Sequence, residues 1–345
     1  MEGSPRSLPL NDWPDADRLA WRHECRDGAR LRRGGRASHL SPVTGEDLAK
    51  RYGLFLDFLD RSHSLNRSAA AGSHVTPKNV DAFVAELRQR VRSVTLYGSV
   101  YKLRRATEII APEQELSWLR DLERDLDLLK QPRSKVHRLI LAEVLVKAGL
   151  TLMIEADAAE PRTPLQRATQ YRNGLMIALL ACCPVRLKNF AALAIRSSIV
   201  QVKDCWWIVL TAQDTKEKRP DERCVPTFLS TYVDRYVSVY RAALARPARS
   251  GSALWLSKNG EPMSYLGVEG TITRTTMATT GISVSPHLFR VSAASTAAIH
   301  AASTPRLASG ILDHRDERTT QQHYNRATSL TAATTYQEIV SDYLK

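Results

Sequence analysis

The sequence predicts a mainly α-helical protein in two domains, with one small antiparallel β-sheet set into the second. Three observations carry that prediction. Apolar residues recur at helical spacing from Thr44 to about 152. A stretch of small, acidic and proline residues at 155–164 then lacks any apolar stripe. Finally, three short β-favouring runs between 199 and 226 interrupt a pattern that is otherwise helical to its end. At 345 residues the chain can build two ordinary cores without disulfides or metals.

Residues 1–40 mix Pro, Asp and Arg without a helical period and end in Arg30-Leu31-Arg32-Arg33-Gly34-Gly35-Arg36, a pattern expected of a flexible basic arm or a plain solvated tail. A helical module at 41–154 follows. Thr44 with Asp47 is a plausible capping box for a helix whose buried face is Leu48, Tyr52, Phe55 and Leu59. Thr76-Pro77 starts a second helix that buries Val80, Phe83, Val84, Leu87 and Val91, and further helices are expected near 94–110, 115–129 and 134–152. The segment 155–164 reads as the interdomain linker, and 165–345 as a second domain with a C-terminal helix. In it, Thr163-Pro164 opens a helix that Pro184 ends; strands follow at 199–202, 205–210 and 224–226, then helices at 227–245, 264–279, 287–301, 304–312, 319–326 and 330–344.

With 49 Lys and Arg against 36 Asp and Glu, the formal net charge of +13 favours a polyanionic partner, because each cation placed on a phosphate releases a condensed counterion. Six cations (Arg88, Arg90, Arg92, Lys102, Arg104, Arg105) lie between Leu87 and Thr107 with no acid among them, which fits a helical face along a DNA backbone as well as a solvated basic face. No long apolar run or secretory leader pattern is present, so a cytoplasmic, nucleoid-associated protein without a membrane partner is expected. Five cysteines (Cys25, Cys182, Cys183, Cys205, Cys224) lack zinc-site spacing and read as reduced, mostly buried thiols; no metal or cofactor is expected.

Metal-free cleavage of a phosphodiester needs an oxygen nucleophile, cations for the non-bridging oxygens and proton carriers for the bridging ones. The second half of the chain supplies such groups in order. Arg186 stands at a helix start after Pro184. Lys216 and Lys218 occupy a turn between two strands, and Lys203 a neighbouring turn. His287 and Arg290 share one helix face, since they are three residues apart and follow Ser285-Pro286. His314 comes 24 positions after Arg290, and Tyr324 follows it by 10, after Thr319-Thr320.

In this order and spacing, the residues from about 160 to 330 resemble the tyrosine recombinase, or phage-integrase, family. The resemblance implies a helical core-binding domain followed by the family's catalytic domain. It implies that Arg186 and Arg290 clamp the scissile phosphate, that Lys216 protonates the departing 5′ oxygen, that His287 takes the proton of Tyr324, and that His314 holds a phosphate oxygen or positions the tyrosine. Tyr324 would then form a 3′-phosphotyrosyl link, and a 5′-hydroxyl could reverse it. Tyr336 and Tyr343 are rival phenols on the last helix pattern. Asp313, Asn189 and Val291 depart from residues usual in the family (glycine, an acid and histidine), and none of these changes removes a reacting group.

The implied partners are a double-stranded recombination site, further copies of the chain in a tetrameric synapse, and accessory DNA-bending or directionality factors serving integration or excision of mobile DNA. Alternatives are a type IB-like topoisomerase, and a catalytically silent DNA-binding regulator of the same fold.

Overall fold

Three helices begin on one local device, a hydroxyl side chain followed by proline. The hydroxyl accepts a hydrogen bond from an otherwise orphaned amide, and the proline, which has no amide hydrogen to lose, presets helical φ at the first turn. Ser41, Thr76 and Thr163 cap α2 (Pro42–Arg61), α3 (Pro77–Arg90) and α7 (Pro164–Cys182) in this way. The cap of α2 is therefore Ser41 and not Thr44, whose amide donates to it.

The computed structural model describes residues 7–132, 136–158, 163–215 and 218–300. Lys216, His314 and Tyr324, the rival Tyr336 and Tyr343, and the helices expected after 301 lie outside the described residues. Between Ser134 and Lys135 the chain divides into two compact units.

The first unit contains α1 (Asp15–Glu24), α2, α3, α4 (Ser93–Ile110) and α5 (Ser117–Leu128). Its core is the predicted apolar face of α2 and α3, with Tyr52, Phe55, Leu56, Val80 and Phe83 at most 1% exposed, closed by Val100 and Leu103 of α4. Residues 7–40 are part of this unit and are not a loose arm. Trp13 and Trp21 are buried in it, and the Trp13 ring lies 4.9 Å from that of Tyr52. Asp17 of α1, fully buried, accepts from the Tyr52 hydroxyl at 3.0 Å and from the Gly72 amide at 2.7 Å. Two indoles supply apolar area that an arginine-rich stretch would otherwise lack.

The second unit starts before α6 (Ala142–Ala158), not after it. α6 and α7 cross with their backbones almost touching: a Cβ on Gly149 would stand 2.6 Å from the Gly174 carbonyl oxygen, and one on Gly174 equally close to that of Gly149. The expected linker at 155–164 therefore connects two helices of one unit. α7 is buried on all sides from Leu175 to Leu180, which explains its weak amphipathic pattern.

The sheet runs β1 (Ile199–Val202), β2 (Cys205–Leu210), β3 (Asp221–Cys224) in that order, antiparallel, with Val200 and Cys224 opposite Trp207. The third strand lies earlier than expected, since Val225-Pro226 already leads into α9 (Thr227–Arg235). Trp206, Ile208 and Leu210 point inward from β2. A π-helical turn over Tyr236–Tyr240 joins α9 to α10 (Arg241–Leu244); α11 (Tyr265–Thr280) and α12 (Pro286–His300) complete the described unit. Of the five thiols only Cys183 is buried; Cys182 and Cys205 are half-buried, while Cys25 and Cys224 are exposed, because strand and loop edges leave them uncovered.

Candidate active site

Arg186 occupies the N-cap position of the short α8 (Leu187–Ala191), with extended backbone at φ −65° and ψ 140°. Pro184 sets this up by ending α7, so that the chain turns and presents Arg186 half-buried at a helix start. From far along the sequence, α12 meets the same place. Arg290, only 8% exposed, donates through Nη1 to the Pro184 carbonyl at 2.5 Å. That carbonyl is two residues before Arg186, so tertiary packing brings both arginines to one corner of the unit. Phe289 and Leu288, fully buried, anchor this stretch of α12, while His287, one helical turn from Arg290, is exposed on it.

Asp214, in the connection from β2 to β3, feels the charge of Lys188 on α8. The frame of that connection is internal: the Thr211 amide and hydroxyl donate to Asp214 at 2.9 and 2.7 Å, and the buried Thr215 hydroxyl donates to the Arg219 carbonyl at 2.6 Å. These Thr211 bonds, foremost, hold the Asp214 carboxyl below its usual range, and the charge of Lys188, two residues beyond Arg186, adds to the effect. Asp214 thus lies within electrostatic reach of α8, and Lys218, at φ 58°, follows four positions later in the connection to β3. Lys203, at φ 53°, is in the β1–β2 turn at the other end of β2, which removes it from this corner.

Asn189, where the family usually has an acid, is buried at 8% exposure. Lys188 is the residue that sequence reasoning passed over; its only signal was its place two positions after Arg186. Among the described residues no group of three or more His, Cys, Asp or Glu side chains is placed to share a metal ion, and no described helix is long and apolar enough to cross a membrane.

The six cations of the first unit do not form one uniform face. Arg104 is clamped between Glu123 at 2.5 Å and Glu108 at 2.8 Å, Lys102 pairs with Asp47 at 2.5 Å, Arg90 with Glu86 at 3.2 Å, and Arg105 lies 4.0 Å from Glu108. Acids from neighbouring turns and helices, invisible in the acid-free run 88–105, supply the counter-charges. Arg88 and Arg92 are exposed and have no carboxylate partner among the described residues.

No model of a protein family matches the sequence, and no curated protein sequence matches it either. Solved structures do match. The XerH site-specific recombinase bound to difH substrate, in a pre-cleavage complex, is 13% identical, with 92% of this chain and 94% of that one covered at a TM-score of 0.58. XerA recombinase is 15% identical over 87% of this chain and 94% of that one at a TM-score of 0.41, and a post-cleavage XerH complex with palindromic difH is 12% identical over 96% and 99% at 0.47. The first likeness defines the class of architecture: the chain has a tyrosine recombinase fold.

Proposed function

We propose that this protein is a site-specific DNA recombinase that cleaves and rejoins strands through a 3′-phosphotyrosyl intermediate on Tyr324. The observation that carries the reading is the meeting of Arg290 with the segment of Arg186, through the 2.5 Å bond to the Pro184 carbonyl, on a fold similar to a recombinase crystallised with its DNA substrate. Two guanidiniums at one corner suit the doubly charged equatorial oxygens of a phosphoryl transition state, since each stays cationic at any working pH and offers a planar fork of donors. A phenol is mostly protonated near neutrality, its ordinary pKa being about 10. His287 is the base that would take its proton, and Lys216, with Lys218 as the alternative, the acid for the leaving 5′ oxygen. His314 would hold a phosphate oxygen. The phosphotyrosyl bond conserves the energy of the diester, so a second 5′-hydroxyl completes exchange without an external energy source. In this reading the working form is a tetramer on two sites of a mobile element, acting in the cytoplasm.

The test is covalent trapping. The full chain is incubated with a pool of nicked duplexes of randomised sequence, SDS-resistant adducts are recovered, and the modified peptide is mapped. An adduct on Tyr324 that is absent in Tyr324→Phe upholds the reading. An adduct that persists in that variant, or none from any sequence in the pool, overturns it. Exchange between two captured sites separates a recombinase from an enzyme that only relaxes supercoils.

A further inference from the structure

The loop between α1 and α2 is cationic, apolar at its tip and built to hold its shape. Five arginines (Arg26, Arg30, Arg32, Arg33, Arg36) and one acid, Asp27, lie within eleven positions, and all are exposed. None of the five guanidiniums has a carboxylate partner among the described residues, in contrast with Arg104 or Lys102 of the same unit. The tip is a tight turn in which the Arg32 amide donates to the Ala29 carbonyl at 2.9 Å, so Arg30 and Leu31 are its two corner residues. Leu31 is 95% exposed, the most exposed of the large apolar side chains among the described residues. A leucine side chain held out in water beside Arg30, Arg32 and Arg33 gains nothing for folding.

The neck of the loop explains how it keeps its form. Gly28 and Gly34 let the two legs touch: a Cβ on Gly28 would stand 2.6 Å from the Gly34 nitrogen. The Gly35 amide donates to the Arg26 carbonyl at 3.0 Å, the Ala37 amide to the Glu24 carbonyl at 2.9 Å, and the Arg36 amide to the Glu24 carboxylate at 2.7 Å. The loop thus leaves the rigid end of α1 already folded, which lowers the ordering cost of binding.

We infer that this loop inserts into the minor groove of duplex DNA, with the arginines reading its narrow width and negative potential and Leu31 wedging against a base step. The inference rests on the proposed reading of the chain as a DNA-binding protein and adds a second, shape-dependent contact to it. A turn of this size fits either groove, and the residues at its tip decide between them. A helix with its side chains is about 10–12 Å across and needs the major groove, whereas the minor groove is about 6 Å wide and admits a two-residue turn. Arginine is the cation favoured where A·T tracts narrow that groove, and leucine is among the side chains that unstack a step there.

The experiment uses the full chain and two duplexes of equal length, one with an A-tract and one of G·C pairs only, titrated over a salt series, with a minor-groove-binding polyamide as competitor. 2-Aminopurine in the A-tract reports unstacking, and adduct formation on nicked versions of the duplexes is scored in the same reactions. The parent should prefer the A-tract, lose that preference to the polyamide and raise the 2-aminopurine signal. Arg32→Ala/Arg33→Ala should lower the slope of log K against log salt by about 2, near 0.9 per cation removed, and abolish the A-tract preference. Leu31→Ala, at a fully exposed position, should abolish the fluorescence rise and leave the slope unchanged. Loop-dependent slope and competition without any adduct uphold the loop and count against the cleavage reading alone. An unchanged slope in the double arginine variant, indifference to the polyamide, or tighter binding to single-stranded RNA than to either duplex overturns the inference.

Discussion

Replacing Gly174 by alanine should destabilise the second unit, although alanine is the better helix former. A Cβ at 174 would stand 2.6 Å from the Gly149 carbonyl oxygen, 2.9 Å from the Leu152 Cβ and 3.0 Å from the Met153 Cγ. Ordinary contact begins at 3.4 Å, so α6 and α7 must part by some tenths of an ångström along their closest approach, and backbone atoms cannot rotate out of the way. Overpacking of a well-filled core costs about 1–3 kcal/mol, of which the upper part, about 2–3 kcal/mol, applies where a backbone oxygen would stand at 2.6 Å, and exchanging glycine for alanine inside a helix returns about 1 kcal/mol. The expected net loss is about 1–2 kcal/mol, which for a unit of this size lowers Tm by about 2–4 °C per kcal/mol. Gly98→Ala is the matched control. Gly98 is also inside a helix, α4, but a Cβ there meets nothing within 4 Å, so the same substitution should stabilise by about 0.5–1 kcal/mol. Calorimetry of the full chain, with hydrogen exchange assigning each change to its unit, measures both. A Gly174→Ala protein as stable as the parent, or two variants moving together, would refute the backbone-contact argument.

Asp17→Asn should grow more favourable relative to the parent as pH rises. Burial, opposed by hydrogen bonds from Gly72 and Tyr52, holds the folded Asp17 carboxyl above its usual range. Its contribution to stability is thus complete below the unfolded value of about 3.9 and is lost as pH rises through the folded one. Urea unfolding of both proteins between pH 3.5 and 7.5 should give a difference that climbs and then levels; a flat difference contradicts the assignment. Glu123→Ala, which leaves Arg104 with Glu108 alone, should cost about 1–2 kcal/mol in urea unfolding, whereas Asp121→Ala, on an exposed pair, should cost under about 0.5. Maleimide labelling of the native chain at pH 8 should modify Cys25 and Cys224 and spare Cys182 and Cys183, whose thiols burial pushes up to about 11 and about 12; rapid modification of Cys183 would show that α7 opens.

Local rules carried the helices well. Thr76-Pro77 and Thr163-Pro164 start α3 and α7 because cap and proline act within one turn, and the β-favouring run at 205–210 forms β2, although an apolar residue at every position left it to the fold to turn Trp206, Ile208 and Leu210 inward. The same rules misplaced the module boundary. The run at 155–164 looks like a linker because turn chemistry is local, while the contact that joins α6 to α7 lies at Gly149 and Gly174, two residues with no side chain to show a pattern. The arginine-rich start was misread for a related reason: charge dominated its composition, and the two indoles that anchor it, Trp13 and Trp21, count only once α2 is present to receive them.

Sequence alone determined the residue types and their order: two arginines, turn lysines, two histidines and a tyrosine at spacings that few other chemistries share. Those depend on covalent succession and need no coordinates. Tertiary structure decided which charges are free to act. It set acids against Lys102 and Arg104, left the arginines of the α1–α2 loop without a carboxylate partner among the described residues, and carried Arg290 to within 2.5 Å of the Pro184 carbonyl, more than a hundred residues away. Electrostatic neutralisation and convergence are properties of distance in space, and no pattern along a chain encodes that distance directly.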